Sequence, residues 1–246
     1  MLRAIIAGAG AAGLATWAGF QCYWPTSQAW GKTFTGLPPG SRTLALTYDD
    51  GPNDPWTLRL LEVLERHSVK ATFFVIGRFV QQKPEIARAV VASGHSLGIH
   101  TWDHPNLLFA SASGVRSQLE RTRQIIFDVT GVETTLTRPP FGARRPGTLR
   151  VVRALGLVPV MWNVTCYDWK PTTPERIVAH VERQMHGGDI ILMHDGGHVR
   201  MGANRGPSVE ATKQIIQKYA SGGYQFVTVP QMIASSVTDS ARPGRR

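Results

Sequence analysis

The chain has 246 residues, 42% of them hydrophobic, and its 27 Lys and Arg against 17 Asp and Glu give a net charge of +10. That length and composition exclude a disordered polymer and suit one α/β domain with a large core. The basic residues are scattered apart from Arg144-Arg145 and the Arg-rich end, and no nucleic-acid motif accompanies them, so the charge points to lipid, an acidic envelope polymer or plain solubility.

In chain order, Met1-Leu2-Arg3 precedes a run from Ala4 to Phe20 that is uncharged and rich in Ala and Gly. Residues 1–29 read as a signal peptide or an N-terminal membrane anchor, and Ser27-Gln28-Ala29 offers a cleavage site before Trp30. Either route exports the protein, to be secreted, periplasmic or membrane-anchored. Gly8 to Gly13 matches G-x-G-x-x-G but lacks the preceding strand and the later acidic residue of a dinucleotide loop. Residues 30–41 read as an irregular arm. The two cysteines, Cys22 and Cys166, imply no disulfide framework.

From Thr43 onward the pattern predicts strands over 43–48, 71–76, 96–99, 134–137, 157–163, 189–193 and 224–228. Helical periodicity covers 56–67, 84–93, 115–130, 147–155, 174–186 and 208–219. Such alternation predicts a parallel sheet, open or closed into a barrel, and residues 237–246 read as a flexible tail.

The apolar strand Leu44-Ala45-Leu46 runs out into Thr47-Tyr48-Asp49-Asp50-Gly51-Pro52, two adjacent carboxylates at a strand end. Side chains alternate along a strand, so one Asp can face a cation and the other whatever that cation holds. His100 and His104 stand i, i+4, a spacing that brings both imidazoles to one metal if the backbone turns helically. Asp49, Asp50, His100, His104, Arg138, Asp168 and His194 all fall at or just past strand ends, the face where catalytic groups of β/α barrels gather. In Arg138-Pro139-Pro140-Phe141 neither proline has an N–H, so Phe141 supplies the first free amide after Arg138.

These motifs, with Asp168-Trp169 and Leu192-Met193-His194, resemble the polysaccharide deacetylase family, the NodB-homology carbohydrate esterases, over about residues 42–236. The resemblance implies an α/β fold, a distorted (β/α) barrel with about seven parallel strands, as catalytic domain. It implies Asp50, His100 and His104 as ligands of one divalent metal, zinc first, with cobalt or nickel as alternatives. Asp49 is then the general base, Arg138 its orienting partner, and His194, held by Asp168, the acid that protonates the departing amine. Phe141 would donate its amide to the oxyanion, while Trp169 and Leu192 form the slot for the acetyl methyl. The implied reaction removes N-acetyl groups from an N-acetylglucosamine-containing polysaccharide, chitin-like or peptidoglycan-like, and releases acetate. The partner is that acetylated amino sugar polymer, with membrane association through the N-terminal segment and no protein partner implied. Trp56, Trp102 and Tyr167 are candidate sugar-stacking rings. The chain departs from the family pattern at Tyr48, where Phe is usual, at Phe141, commonly Tyr, and at Thr165, commonly acidic.

The alternatives are an O-acetyl esterase acting on xylan or a similar glycan, a serine hydrolase, a non-haem iron oxygenase and a non-catalytic sugar-binding module. Gly94-His95-Ser96-Leu97-Gly98 matches a nucleophile elbow, yet a predicted helix precedes it and a strand follows, the reverse of what an elbow requires. An oxygenase needs neither a vicinal Asp nor a separate acid. A decayed binding module would have lost one of the site residues.

Overall fold

The computed structural model describes residues 13 and 16–240. Strand β1 (Thr43–Gly51) lies inside the sheet, paired on both edges, and is buried from Leu44 onward, as expected of a strand covered on both faces. β2 (Thr72–Val75), β3 (Ser96–Ile99), β4 (Leu136–Thr137) and β5 (Val158–Pro159) follow on one side of it. β7 (Ile190–His194) and then β6 (Val164–Thr165) lie on the other, while β8 (Gln225–Phe226) pairs with the first residues of β1. All of these pairings are parallel, and the sheet curls into a half-barrel, the architecture expected from the sequence.

The segment 157–163, read as one strand, instead holds only the two-residue β5, and β6 begins just after it. The chain breaks there because its polar backbone groups have other partners. Arg138 takes the carbonyls of Val160 and Met161, and the Met161 amide donates to Phe34. Phe34 also bridges to Val160 and Gly36 to Asp189, so the arm before β1 crosses the gap between β5 and β7.

Helices cover the outer side of the sheet. α1 (Trp56–Arg66) buries Leu60, Leu61 and Leu64, one stripe at helical spacing. Each such leucine stabilises the fold by roughly 1.5–3 kcal/mol. α2 (Gly77–Gln82) was not foreseen, being too short to show a period. α3 (Pro84–Ala92), α4 (Ala112–Thr130), α5 (Pro146–Ala154), α6 (Pro174–Gln184) and α7 (Gly206–Ser221) occupy the predicted stretches. The Ser111 side chain accepts from the Gly114 amide at the start of α4, and Gly131 ends it at φ 70. α8 (Val229–Ser240) runs into the stretch read as a tail; residues 241–246 lie outside the described residues.

Most of the apolar run from Ala4 lies outside the described residues as well, although 16–23 are helical. No helix among the described residues is long and apolar enough to cross a membrane.

The inner side of the curl holds a second, smaller core containing Phe74, Leu136, Met161, Trp162 and Leu192. Gly98 belongs here by necessity, since a Cβ on it would stand 2.5 Å from the Phe74 ring. Gly98→Ala should therefore destabilise the protein by about 1–3 kcal/mol, the usual effect of overpacking. A thermal unfolding curve indistinguishable from wild type would refute that reading of the inner core.

Candidate active site

The site begins where β1 ends. Its register with β2 is irregular between Asp49 and Gly51, and Asp50 has φ 74, a left-handed conformation rare outside glycine. Through this bulge both carboxylates line one cavity, Asp50 toward the imidazoles and Asp49 toward Arg138. The His100–His104 stretch departs from the helical turn expected of its spacing. It is an irregular loop with positive φ at Thr101 and His104, and the two rings meet at 4.9 Å without a helical turn.

Asp50, His100 and His104 offer three ligand atoms within 4.8 Å of one another, all buried. His100 Nδ1 lies 2.8 Å from the Arg138 carbonyl, so that nitrogen is the donor and Nε2 keeps its lone pair for the cluster. Asp50 Oδ1 is 3.5 Å from His100 Nε2 and 3.3 Å from His104 Nε2, and it is buried without a hydrogen-bond partner. A buried carboxylate oxygen facing two imidazole lone pairs needs a cation, and this donor set fits a divalent metal. Electrostatics agree. Burial pushes His104 down to about 3, leaving its ring neutral. Burial alone would raise Asp50, yet His198 and the imidazoles hold it well below the usual carboxylate range.

Asp49 belongs to a different network. Its Oδ1 accepts from Arg138 Nη1 at 2.7 Å, and its Oδ2 lies 3.8 Å from His100 Nε2. Arg138 is fully buried; it also donates to Thr47 and rests against the Phe74 ring at 4.2 Å. Across the β1/β7 ladder the register partner of Asp49 is His194, which puts a second titratable group on the neighbouring strand end. His194 Nδ1 lies 2.8 Å from Asp168 Oδ1, while Asp168 Oδ2 accepts from the His194 amide and from Ser208. Burial works to lower the imidazole, but the Asp168 charge prevails and raises it above its ordinary value. The alternative partner, Asp195, faces away to accept from Thr57, and burial pushes its carboxyl up to about 7.

A cavity of about 500 Å³ opens over these groups, with Leu192, Trp162, Phe141 and Trp169 among its walls. Phe141 has φ 58 and is 49% exposed, and Trp169 is 42% exposed, so both rings present a free face to the cavity. Of the three other candidate rings, Trp56 and Trp102 are not among the lining residues, and each lies under an arginine, Arg59 and Arg121. Tyr167 is placed behind Trp169, their ring centroids 5.3 Å apart. Ser96 begins β3, after α3 and at the end of the strand remote from the rim, so the G-x-S-x-G match is no elbow.

His198 and Trp162 were missed. His198 stacks on His104 at 4.3 Å and stands 3.7 Å from Asp50 Oδ2. It sits on the loop after β7, which Asn53 ties down through Asp195, Gly202 and Ala203 and which Arg78 holds by the His198 carbonyl. The only sequence signal was a histidine beside two glycines, which reads as an ordinary turn. Trp162 lay hidden inside a presumed strand. Its indole donates to Thr165 Oγ1, so the hydroxyl at the departing position fixes a cavity wall. Tyr48, the other departure, is buried with its hydroxyl 3.0 Å from Thr212 Oγ1.

Sheet and rim together define the class: an α/β half-barrel whose strand ends assemble a metal-competent acid–base pocket. Residues 36–160 match the family described as Polysaccharide deacetylase, and the chain belongs to that family. It is 36% identical over 192 residues to the peptidoglycan-N-acetylglucosamine deacetylase PgdA of Listeria monocytogenes, covering 78% of this chain but only 39% of that protein. Among solved structures it is similar to the Bc1960 peptidoglycan N-acetylglucosamine deacetylase, with TM-score 0.75, 33% identity, and coverage of 81% of this chain and 91% of that one. It is also similar to a family 4 acetyl xylan esterase from Clostridium thermocellum in complex with a cobalt ion, with TM-score 0.71, 34% identity and coverage of 78% and 90%.

Proposed function

We propose that residues 42–236 form a metal-dependent hydrolase that removes N-acetyl groups from an N-acetylglucosamine-containing polysaccharide of the cell envelope and releases acetate. The observation that carries this reading is the pairing of Asp49 with His194 across adjacent strand ends, beside the Asp50, His100 and His104 cluster. A base on one side of the scissile amide and an acid on the other is what hydrolysis of a poor leaving group needs.

Asp50, His100 and His104 would hold the divalent ion, zinc in the first instance. When bound, such an ion polarises a carbonyl oxygen and makes water more acidic. Asp49, held by Arg138, takes a proton from the attacking water, whose oxygen adds to the acetyl carbon. The first amide beyond the two prolines, that of Phe141, stabilises the developing oxyanion. His194, kept protonated by Asp168, gives its proton to the nitrogen as the C–N bond breaks. Acetate and a free amine remain. Leu192 and Trp169 enclose the methyl, and the exposed face of Phe141 suits a sugar ring.

The likeness to a peptidoglycan deacetylase and its solved relative supports a peptidoglycan-like polymer, and with it export to the envelope. The likeness to an acetyl xylan esterase favours a second reading, release of O-acetyl groups from a glycan. Acetate release from peptidoglycan, chitooligosaccharides and acetylxylan separates the two: acetate from the first two supports the amide reading, and acetate from acetylxylan alone would replace it.

The dyad gives a pH test. A general acid must carry its proton, so activity is lost as pH rises through the His194 pKa, which Asp168 raises. Asp168→Asn removes the raising charge and leaves burial, so the alkaline limb of kcat/KM should move to lower pH. An unmoved limb would assign it to another group.

A further inference from the structure

We propose that residues 16–30 are a retained, lipid-facing arm of the folded protein, which seats on the polar–apolar boundary of an anionic bilayer through Trp17, Phe20, Tyr23 and Trp24. The four rings are 51%, 52%, 41% and 51% exposed. Residues 16–23 are helical, and the Trp24 amide donates to the Phe20 carbonyl at 2.9 Å, which carries the helical pattern one residue further. At ~100° per residue these rings fall within an arc of about 120°, one side of the helix. Cys22 falls on the other side and is buried.

The arm is bolted to the domain. The Arg144 amide donates to the Cys22 carbonyl at 3.0 Å. Its guanidinium, 1% exposed as a residue, donates to the carbonyls of Trp24, Pro25 and Ser27 from the arm and of Gly142 from its own loop. Cleavage between Ala29 and Trp30 would remove three of those four acceptors and the cover they give the guanidinium, so the folded domain would exchange three charge-assisted hydrogen bonds for water. Asn106 adds a hydrogen bond to the Tyr23 hydroxyl at 3.0 Å. The sequence alone allowed cleavage at Ala29; the packing of Arg144 argues against it.

The occupant follows from composition and charge. The aromatic face continues the uncharged run that begins at Ala4, and Trp and Tyr at the end of an apolar stretch are the residues that settle at the headgroup level. Exposed cations lie nearby in sequence: Lys32 follows the arm, with its carbonyl held by Arg153, and Arg145 follows Arg144 and donates to the Ala110 carbonyl. Those charges match anionic headgroups. Asn106 lies two residues past His104 and Arg144 three past Phe141, so the same contacts that hold the arm tie it to the rim of the cavity. A bilayer under the arm would keep that rim close to the membrane.

The test uses the full chain, expressed in cells and then reconstituted into phosphatidylcholine–phosphatidylglycerol vesicles carrying bromine on the acyl chains near the headgroups. The mass of the protein from the membrane fraction should include residues 16–30, and brominated lipid should quench its tryptophan fluorescence. In a Trp17→Phe, Trp24→Phe variant that quenching should be roughly halved or more, because both boundary indoles are gone. A mature chain beginning at Trp30 or later would overturn the proposal. So would quenching that is absent or equal in the variant, or a dimer formed without vesicles that shields Trp17.

Discussion

Asp49→Asn is expected to retain one divalent metal per chain and to lose acetate release by about 10³-fold, the scale of removing a general base. The two aspartates are neighbours in sequence but belong to separate networks. Asp50 Oδ1 faces His100 and His104, whereas Asp49 Oδ1 is held by Arg138. An asparagine keeps the shape and an acceptor for Arg138 but no longer takes a proton. Because Arg138 is fully buried, losing the neighbouring charge also costs stability, so the unfolding midpoint should fall even with metal bound. Metal analysis and initial rates on the same folded sample check the split. Turnover within tenfold of wild type would refute Asp49 as the base, and loss of the metal would make it a ligand.

His194→Ala is expected to lower kcat on an N-acetylated substrate by about 10²–10⁴. On an O-acetylated glycan the loss should be smaller, because an alkoxide departs more easily than an unprotonated amine. The substitution leaves Asp168 with two of its donors, the backbone amide of residue 194 and Ser208, so the carboxylate stays in place. The comparison therefore reads proton donation rather than collapse of the site. Equal losses on amide and ester would mean that His194 positions substrate without protonating the leaving group.

The order of elements was legible because long helices such as α4 and the apolar strands β1 and β7 carry strong periods. The two-residue strands were not, since β5 and β6 are defined by what Arg138 and Phe34 take from the backbone between them. All ten candidate residues reach one rim, of which Asp49, Asp50, His100, His104, Phe141, Trp169, Leu192 and His194 line the cavity and Arg138 and Asp168 stand behind it. Their motifs all fall near strand ends, but spacing in sequence does not give the local geometry. Positive φ at Asp50, Thr101 and His104 sets the directions of these side chains, and no periodicity rule anticipates a left-handed residue other than glycine. His198 escaped for a related reason. Its place over His104 depends on Asn53 and Arg78, residues more than a hundred positions earlier in the chain.

Metal-dependent removal of acetyl groups from an amino sugar polymer can be read from acetate and free amine released from peptidoglycan by one protein sample, as isolated, after chelation and after zinc is restored. Acetate and amine are expected in equal amounts, with loss of both on chelation and recovery with zinc. Release that continues after the metal has been removed, or no acetate from any N-acetylated glycan, would contradict it.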